Sequence, residues 1–219
     1  MSSAEWVKLV GTRLERGRVC PTPPRDLISG PETDSIDASR LVMSYSTPVG
    51  VAWVLERRRQ GPKSDVVVWG DVPAASIDGV VPRAMVSALR NGVHGSLDGD
   101  ELSLMIEGRR PRLAGRSTLV AQGRQEQWHC RTRRMVDVEI VRAGHGVVGL
   151  AETHVRVPRA RPRLEPIDIS LSLALLHGGW LNCVRGVMSN FTAADPMTSN
   201  AAATVAGALF EALGEIPGP

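Results

Sequence analysis

Lysine is almost missing from this chain: Lys8 and Lys63 are the only two, so 24 of the 26 basic residues are arginine. The abundance of Ala, Gly, Pro and Val beside them fits a GC-rich coding bias. Arginine still carries its own chemistry, because its planar guanidinium forks onto phosphates and stacks on bases. Aromatics are also few, at 4%. Tyr45, Trp53, Trp69 and Trp128 remain as candidate stacking platforms, and tryptophans in apolar strands more often serve a core. Binding to a polyanion backbone is therefore favoured over base readout. The three cysteines, Cys20, Cys130 and Cys183, are far apart and odd in number. They do not make a disulfide framework and suit a reducing compartment. No apolar stretch follows Met1, so no signal peptide is expected.

Catalytic patterns are missing too. The sequence has no Gly-x-Ser-x-Gly elbow, no Gly-x-Gly-x-x-Gly and no Gly-Lys-Ser/Thr phosphate loop. No Cys-x-x-Cys or His-x-x-x-His pair offers a metal site, and the neighbours His129 and Cys130 would point to opposite faces of a strand. The expectation is a binding protein and not an enzyme, with no cofactor and no metal.

What is present is an uneven charge. The net charge is +3, but the stretch from Pro166 onward holds one basic residue, Arg185, against Asp168, Asp195, Glu211 and Glu215. A basic body with an acidic, apolar tail suggests that the body faces a polyanion. Four arginine clusters lie in it: Arg57, Arg58 and Arg59; Arg109, Arg110, Arg112 and Arg116; Arg131, Arg133 and Arg134; and Arg159, Arg161 and Arg163. The first three are the candidate nucleic-acid-binding residues, and a solvated surface is the plain alternative.

The pattern of elements predicts a mainly β (α+β) chain: a jelly-roll-like β-sandwich or barrel with a few short helices. Ser2 and Glu5 have capping-box spacing, and Trp6, Leu9, Val10 and Leu14 fall on one helical face, predicting a helix over about 3–16. Prolines at 21, 23, 24 and 31 predict a loop over 19–38. Strands are predicted at 41–46, 49–55, 65–69, 102–106, 117–122, 127–130, 136–141 and 147–157, with a helix over 82–89. Residues 158–163 read as a Pro/Arg linker. The run 167–184 is the most apolar in the chain, and an Ala-rich helix is predicted over 199–213. Three parts follow: an N-terminal helix and leader (1–40), a β-domain (41–157), and a linker with an apolar helical tail (158–219).

The stretch Val49–Leu55, its basic turn, and Asp65-Val-Val-Val-Trp-Gly-Asp71 resembles the core of the plant-virus cell-to-cell movement proteins of the 30K superfamily. In that family a hydrophobic strand closes on a signature Asp, here Asp71. The segment 77–92 matches the family's short helical stretch in placement, and 136–141 with 147–157 its closing strands. The leader from Cys20 to Ile28 is similar to the segment that precedes the family's core. Coverage is about residues 20–157. The resemblance implies a jelly-roll-like domain that binds single-stranded RNA or DNA cooperatively. It also implies residence in the host cytoplasm, at endoplasmic reticulum membrane and at plasmodesmata. From the residues themselves, Asp71 is expected to cap a turn or a helix, without catalysis.

Two further readings stay open. The run 167–184 resembles the C-terminal core helix of tubby-like barrels, which implies phosphoinositide binding by a β-barrel closed around that helix. An exposed apolar face on 167–184 would disfavour the barrel and suit peripheral membrane contact. A self-assembling, capsid-like jelly roll would act as a homo-oligomer.

Overall fold

The computed structural model describes residues 7–14, 21–24, 27, 40–58, 63–80, 88–89, 91–107, 118–132, 137–152, 157–160 and 165–184. The chain is mainly β, as its sequence predicts. Among the described residues, thirteen strands form one antiparallel sheet. In chain order they are β1 (Val7–Lys8), β2 (Val10–Arg13), β3 (Arg40–Thr47), β4 (Gly50–Arg58), β5 (Lys63–Gly70), β6 (Ala75–Val80) and β7 (Val93–Leu97). They continue as β8 (Asp100–Glu107), β9 (Thr118–Gln122), β10 (Gln127–Thr132), β11 (Asp137–Arg142), β12 (Gly146–Glu152) and β13 (Val157–Ala160). From β2 to β13 each strand bonds to its neighbours in sequence. This is a plain meander, without the crossing connections of a jelly roll.

The two ends of the sheet share one segment. Val7 and Lys8 pair with Ala160 and Arg159 of β13, while Val10–Arg13 pair with Ser46–Met43 of β3. Strands β1 and β2 are separated only by Leu9, which is 1% exposed. The sheet therefore curls until its outer strands meet on residues 7–13. Unpaired strand edges expose N–H and C=O groups, and this arrangement leaves few of them.

Inside the curl lies α1 (Pro166–His177). Every residue from Asp168 to Leu175 is buried. A helix that is apolar all round needs a complete apolar surround. Val54, Val66, Val68, Ile77, Leu102, Leu104, Leu119, Trp128 and Ile140 supply it from the inward positions of seven strands. Strand alternation accounts for this selection, because every second residue points to one face. The helix's own hydroxyls are satisfied: Ser170 donates to Pro73 O at 2.6 Å and Ser172 to Asp168 O at 2.6 Å. A short 3-10 turn, Trp180–Cys183, follows the helix.

Several sequence expectations need correction. The helix expected at 3–16 is strand over its described part. Two neighbouring strand edges offer hydrogen bonds there, and they outweigh the apolar spacing. Gly11 admits the Tyr45 ring against this strand, since a Cβ there would stand 2.7 Å from the ring. The run 147–157 is two strands, β12 and β13, which pair with each other antiparallel. The linker expected from 158 begins inside β13, and the run after it forms the core, so no packing boundary falls at 158. Of the two readings of 167–184, core helix and membrane-facing segment, burial favours the core helix: Ile169, Leu171, Leu173 and Leu175 are fully buried. No helix among the described residues is long and apolar enough to cross a membrane. Strands β6 and β7 were not anticipated. Ala88 and Leu89 are helical as expected; the rest of 82–89 and all of 199–213 lie outside the described residues.

Candidate anion-binding end of the sheet

A meander sends its connections alternately to two ends. At one end lie the turns at 48–49, 71–74, 98–99, 123–126 and 143–145. The N-terminus of α1 is there too, because Ser170 bonds Pro73 and Arg142 bonds Glu165. The strands that flank 59–62, 81–92, 108–117, 133–136 and 153–156 open toward the other end. The C-terminus of α1 points to that end, where Thr132 donates to Val184 O at 2.7 Å.

In the sequence, the five stretches between those strands contain ten arginines and no Asp or Glu. They are Arg59, Arg83, Arg90, Arg109, Arg110, Arg112, Arg116, Arg133, Arg134 and Arg156. All lie in or beside residues outside the described set, so their assignment to this end rests on the strands that flank them. The long connection between β2 and β3 opens at the same end and carries mixed charge. Three of the ten, Arg83, Arg90 and Arg156, stand outside the clusters visible in sequence. Counting strand parity along a meander would have found them.

The described candidates divide. Arg57 is 15% exposed and donates to Asp65 at 2.8 Å, a pairing across β4 and β5 that holds the two strands. Its task is local. Arg58 ends β4 at the arginine-bearing end. Arg131 is 57% exposed and pairs with Glu139 at 3.2 Å. It opens a cross-strand row of positions, Arg131, Glu139, Leu150, Arg159 and Lys8, that runs toward β1. Arg59, Arg109, Arg110, Arg112, Arg116, Arg133 and Arg134 lie outside the described residues.

Asp71 sits at the opposite end and is structural, but it ties its strand to the start of β4 where a cap on its own turn was expected. Its carboxylate accepts from Val51 N–H at 2.7 Å, and its own N–H donates to Val51 O at 2.9 Å. Gly50 must be glycine for this: its φ is +132°, and a Cβ would stand 2.2 Å from the Asp71 carboxylate.

Each end of α1 is fixed by ionisable side chains that sequence reading did not single out. At the N-terminal end, Arg142 is 5% exposed and bonds Glu126 and Glu165, with Asp168 at 3.5 Å. Trp128 donates its indole N–H to Asp168 at 2.7 Å, and the guanidinium lies 5.7 Å from the Trp128 ring centre. Burial pushes the Asp168 carboxyl above its ordinary range, against the pull of Trp128 and Arg142. The bond from Arg142 holds the Glu165 carboxyl below its ordinary range. At the C-terminal end, His177 lies between Tyr45, whose hydroxyl is 2.7 Å from Nε2, and the Glu56 carboxylate at Nδ1. Sequence distance hid both clusters, since Tyr45 and His177 are 132 residues apart.

Among the described residues no cluster of His, Cys, Asp or Glu is arranged to hold a metal ion. No protein-family model matches the chain, and neither the curated proteins nor the solved structures contain a match.

Proposed function

We propose that this chain is a binding protein that takes phosphorylated headgroups of anionic lipids at the arginine-bearing end of its sheet. The observation that carries the reading is an α1 buried from Asp168 to Leu175 inside a meander whose strands at one end flank five stretches that hold ten arginines and no acid in the sequence. The burial of α1 supports the tubby-like reading of the run 167–184 over the membrane-facing one, and that resemblance implies phosphoinositides as the ligand class. A rigid core supports the site, and guanidinium forks match phosphate oxygens. The C-terminal dipole of α1 opposes an anion at this end by about half a charge, which ten arginines outweigh.

Single-stranded nucleic acid, the ligand of the movement-protein reading, is the second candidate. The exposed Arg131 on the outer face favours it, because a strand of phosphates would continue over that face.

One experiment separates the two. The full chain is spun down with phosphatidylcholine vesicles containing a few per cent phosphatidylinositol 4,5-bisphosphate, and titrated in parallel with a labelled unstructured RNA. Lipid reading expects vesicle binding that weakens with salt and falls at least tenfold when Arg109, Arg110, Arg112 and Arg116 become Ala. Salt-sensitive RNA binding without vesicle binding would replace it by the second reading. Absence of both at low salt would overturn both.

A further inference from the structure

Asn91 is the only one of the four asparagines that precedes a glycine. Both residues of the pair are exposed, and they lead into β7. The Asn91 N–H donates to Ala88 O at 3.1 Å and closes the turn before the strand. Gly92 has a φ of +78°, a region that glycine enters without steric cost. Its N–H donates to no described residue. One base stands over this pair. A Cβ added at Gly92 would meet His94 Nε2 at 3.1 Å, and the only other atom within 4 Å belongs to the same ring. The ring is aimed by Glu101, whose carboxylate lies 3.2 Å from Nδ1. A carboxylate only accepts, so in the neutral ring Nδ1 carries the proton and Nε2 keeps its lone pair. Nε2 has no described partner of its own. The sheet sets this geometry: His94 stands opposite Ser103 on β8, and Glu101 is the diagonal neighbour on the same face.

We propose that Asn91 and Gly92 form a self-modifying site, with His94 as its base, at which Asn91 is converted to aspartate or isoaspartate. The Gly92 nitrogen bonds to the side-chain carbonyl carbon of Asn91. Its proton passes through His94 Nε2 to the amide nitrogen, which leaves as ammonia. Water then opens the cyclic imide at one of its two carbonyls, giving aspartate or its β-linked isomer. The sum is amide plus water to acid plus ammonia, with no change of oxidation state. Glycine permits the attack because it has no side chain to shield its nitrogen. A placed base speeds the step that must remove the backbone proton. The product puts a negative charge into the stretch 81–92, which holds two arginines and no acid. The proposal does not depend on the lipid reading, because the reaction involves only Asn91, Gly92, His94 and Glu101.

The test ages the full chain at neutral pH and follows the tryptic fragment 91–109 by mass spectrometry, since that fragment holds no other amide side chain. The fragment should gain the mass of an amide-to-acid conversion, and part of the product should be isoaspartate. Asn91→Gln should abolish the gain. His94→Gln should slow it by about tenfold, less than the ~100-fold of a base in an enclosed site, because the pair is open to water. Glu101→Gln keeps the imidazole and loses its anchor, so its rate should fall between the two. The side chains of His94 and Glu101 are 66% and 78% exposed, so neither change threatens the fold. In urea the unaltered chain and His94→Gln should react at one rate, because the folded geometry alone brings the imidazole to Gly92. A folded chain that reacts more slowly than the unfolded one would overturn the proposal, as would a His94→Gln protein that ages as fast as the unaltered chain.

Discussion

Replacing Arg142 by Met tests the polar end of the core most directly. Arg142 is 5% exposed and faces three carboxylates: Asp168, itself 2% exposed, Glu126 and Glu165. Met keeps much of the aliphatic volume and removes the charge. Asp168 would then keep only the Trp128 N–H as a side-chain donor, in a buried site. Removing one partner of a buried ion pair costs about 3–5 kcal/mol, most of it from the charge left behind. That charge also sets the pH dependence. The Asp168 carboxyl already lies above its ordinary range through burial, and loss of the guanidinium raises it further. A carboxyl raised in the folded state takes up a proton there before the unfolded chain does. Stability is therefore lost as pH rises from the unfolded Asp value, about 3.9, through the folded one. The deficit of Arg142→Met should be largest near neutral pH and shrink on acidification. Urea unfolding followed by tryptophan fluorescence, at a series of pH values, measures it. Adding Asp168→Asn should recover part of the loss, since Asn carries no charge and still accepts from Trp128. A deficit below about 1 kcal/mol at neutral pH, or one that does not change with pH, would refute the argument.

Two other substitutions follow from packing. Leu173→Ala removes a fully buried side chain from the middle of α1 and should cost about 2–5 kcal/mol by urea denaturation; a cost under 1 kcal/mol would mean that the surround collapses onto the helix. Gly11→Ala brings a Cβ to 2.7 Å from the Tyr45 ring at the strand where the sheet's ends meet. It should destabilise by about 1–3 kcal/mol and raise the exchange of the β2 and β3 amides first, which native-state hydrogen exchange would detect.

Legibility in the sequence followed local signal. Strands β3, β4 and β5 are dense in Val, Leu and Trp between turn residues, and their runs were visible. Strands β6 (Ala-Ser-Ile-Asp-Gly-Val) and β7 (Val-His-Gly-Ser-Leu) have small or polar residues at most positions, and only their neighbours' hydrogen bonds make them strands. The N-terminal segment showed helical spacing, but two open strand edges stood ready to pair with it. The reversal between β12 and β13 carries neither Gly nor Pro, so no punctuation marked it. The apolar run of α1 was plain, while its burial on all sides is a tertiary fact that periodicity cannot encode. At the candidate site the same limit applies. Clusters of adjacent arginines were legible; that the strands flanking them, and those flanking Arg83, Arg90 and Arg156, open toward one end of the sheet required strand order.

A helix that is apolar all round has no stripe to say which side faces which strand, so something else must fix its rotation. The two ends of α1 supply it: Asp168 is tied to Trp128 and Arg142, and His177 to Tyr45 and Glu56. Between them the described surround is almost wholly hydrocarbon. Buried polar groups add little net stability, yet they can select one arrangement among several of similar energy. Replacing Glu56 and His177 by Leu and Tyr45 by Phe removes the C-terminal tie as a unit, leaving no orphaned partner within the trio. We expect unfolding free energy to change by no more than about 2 kcal/mol, because hydrocarbon takes the place of a satisfied network. Uniqueness should suffer instead: the urea m-value falls, and methyl resonances of Leu171, Leu173 and Leu175 broaden or double. An unchanged m-value with single sharp methyl signals would show that shape alone orients the helix, and that the tie at His177 serves another purpose at the arginine-bearing end.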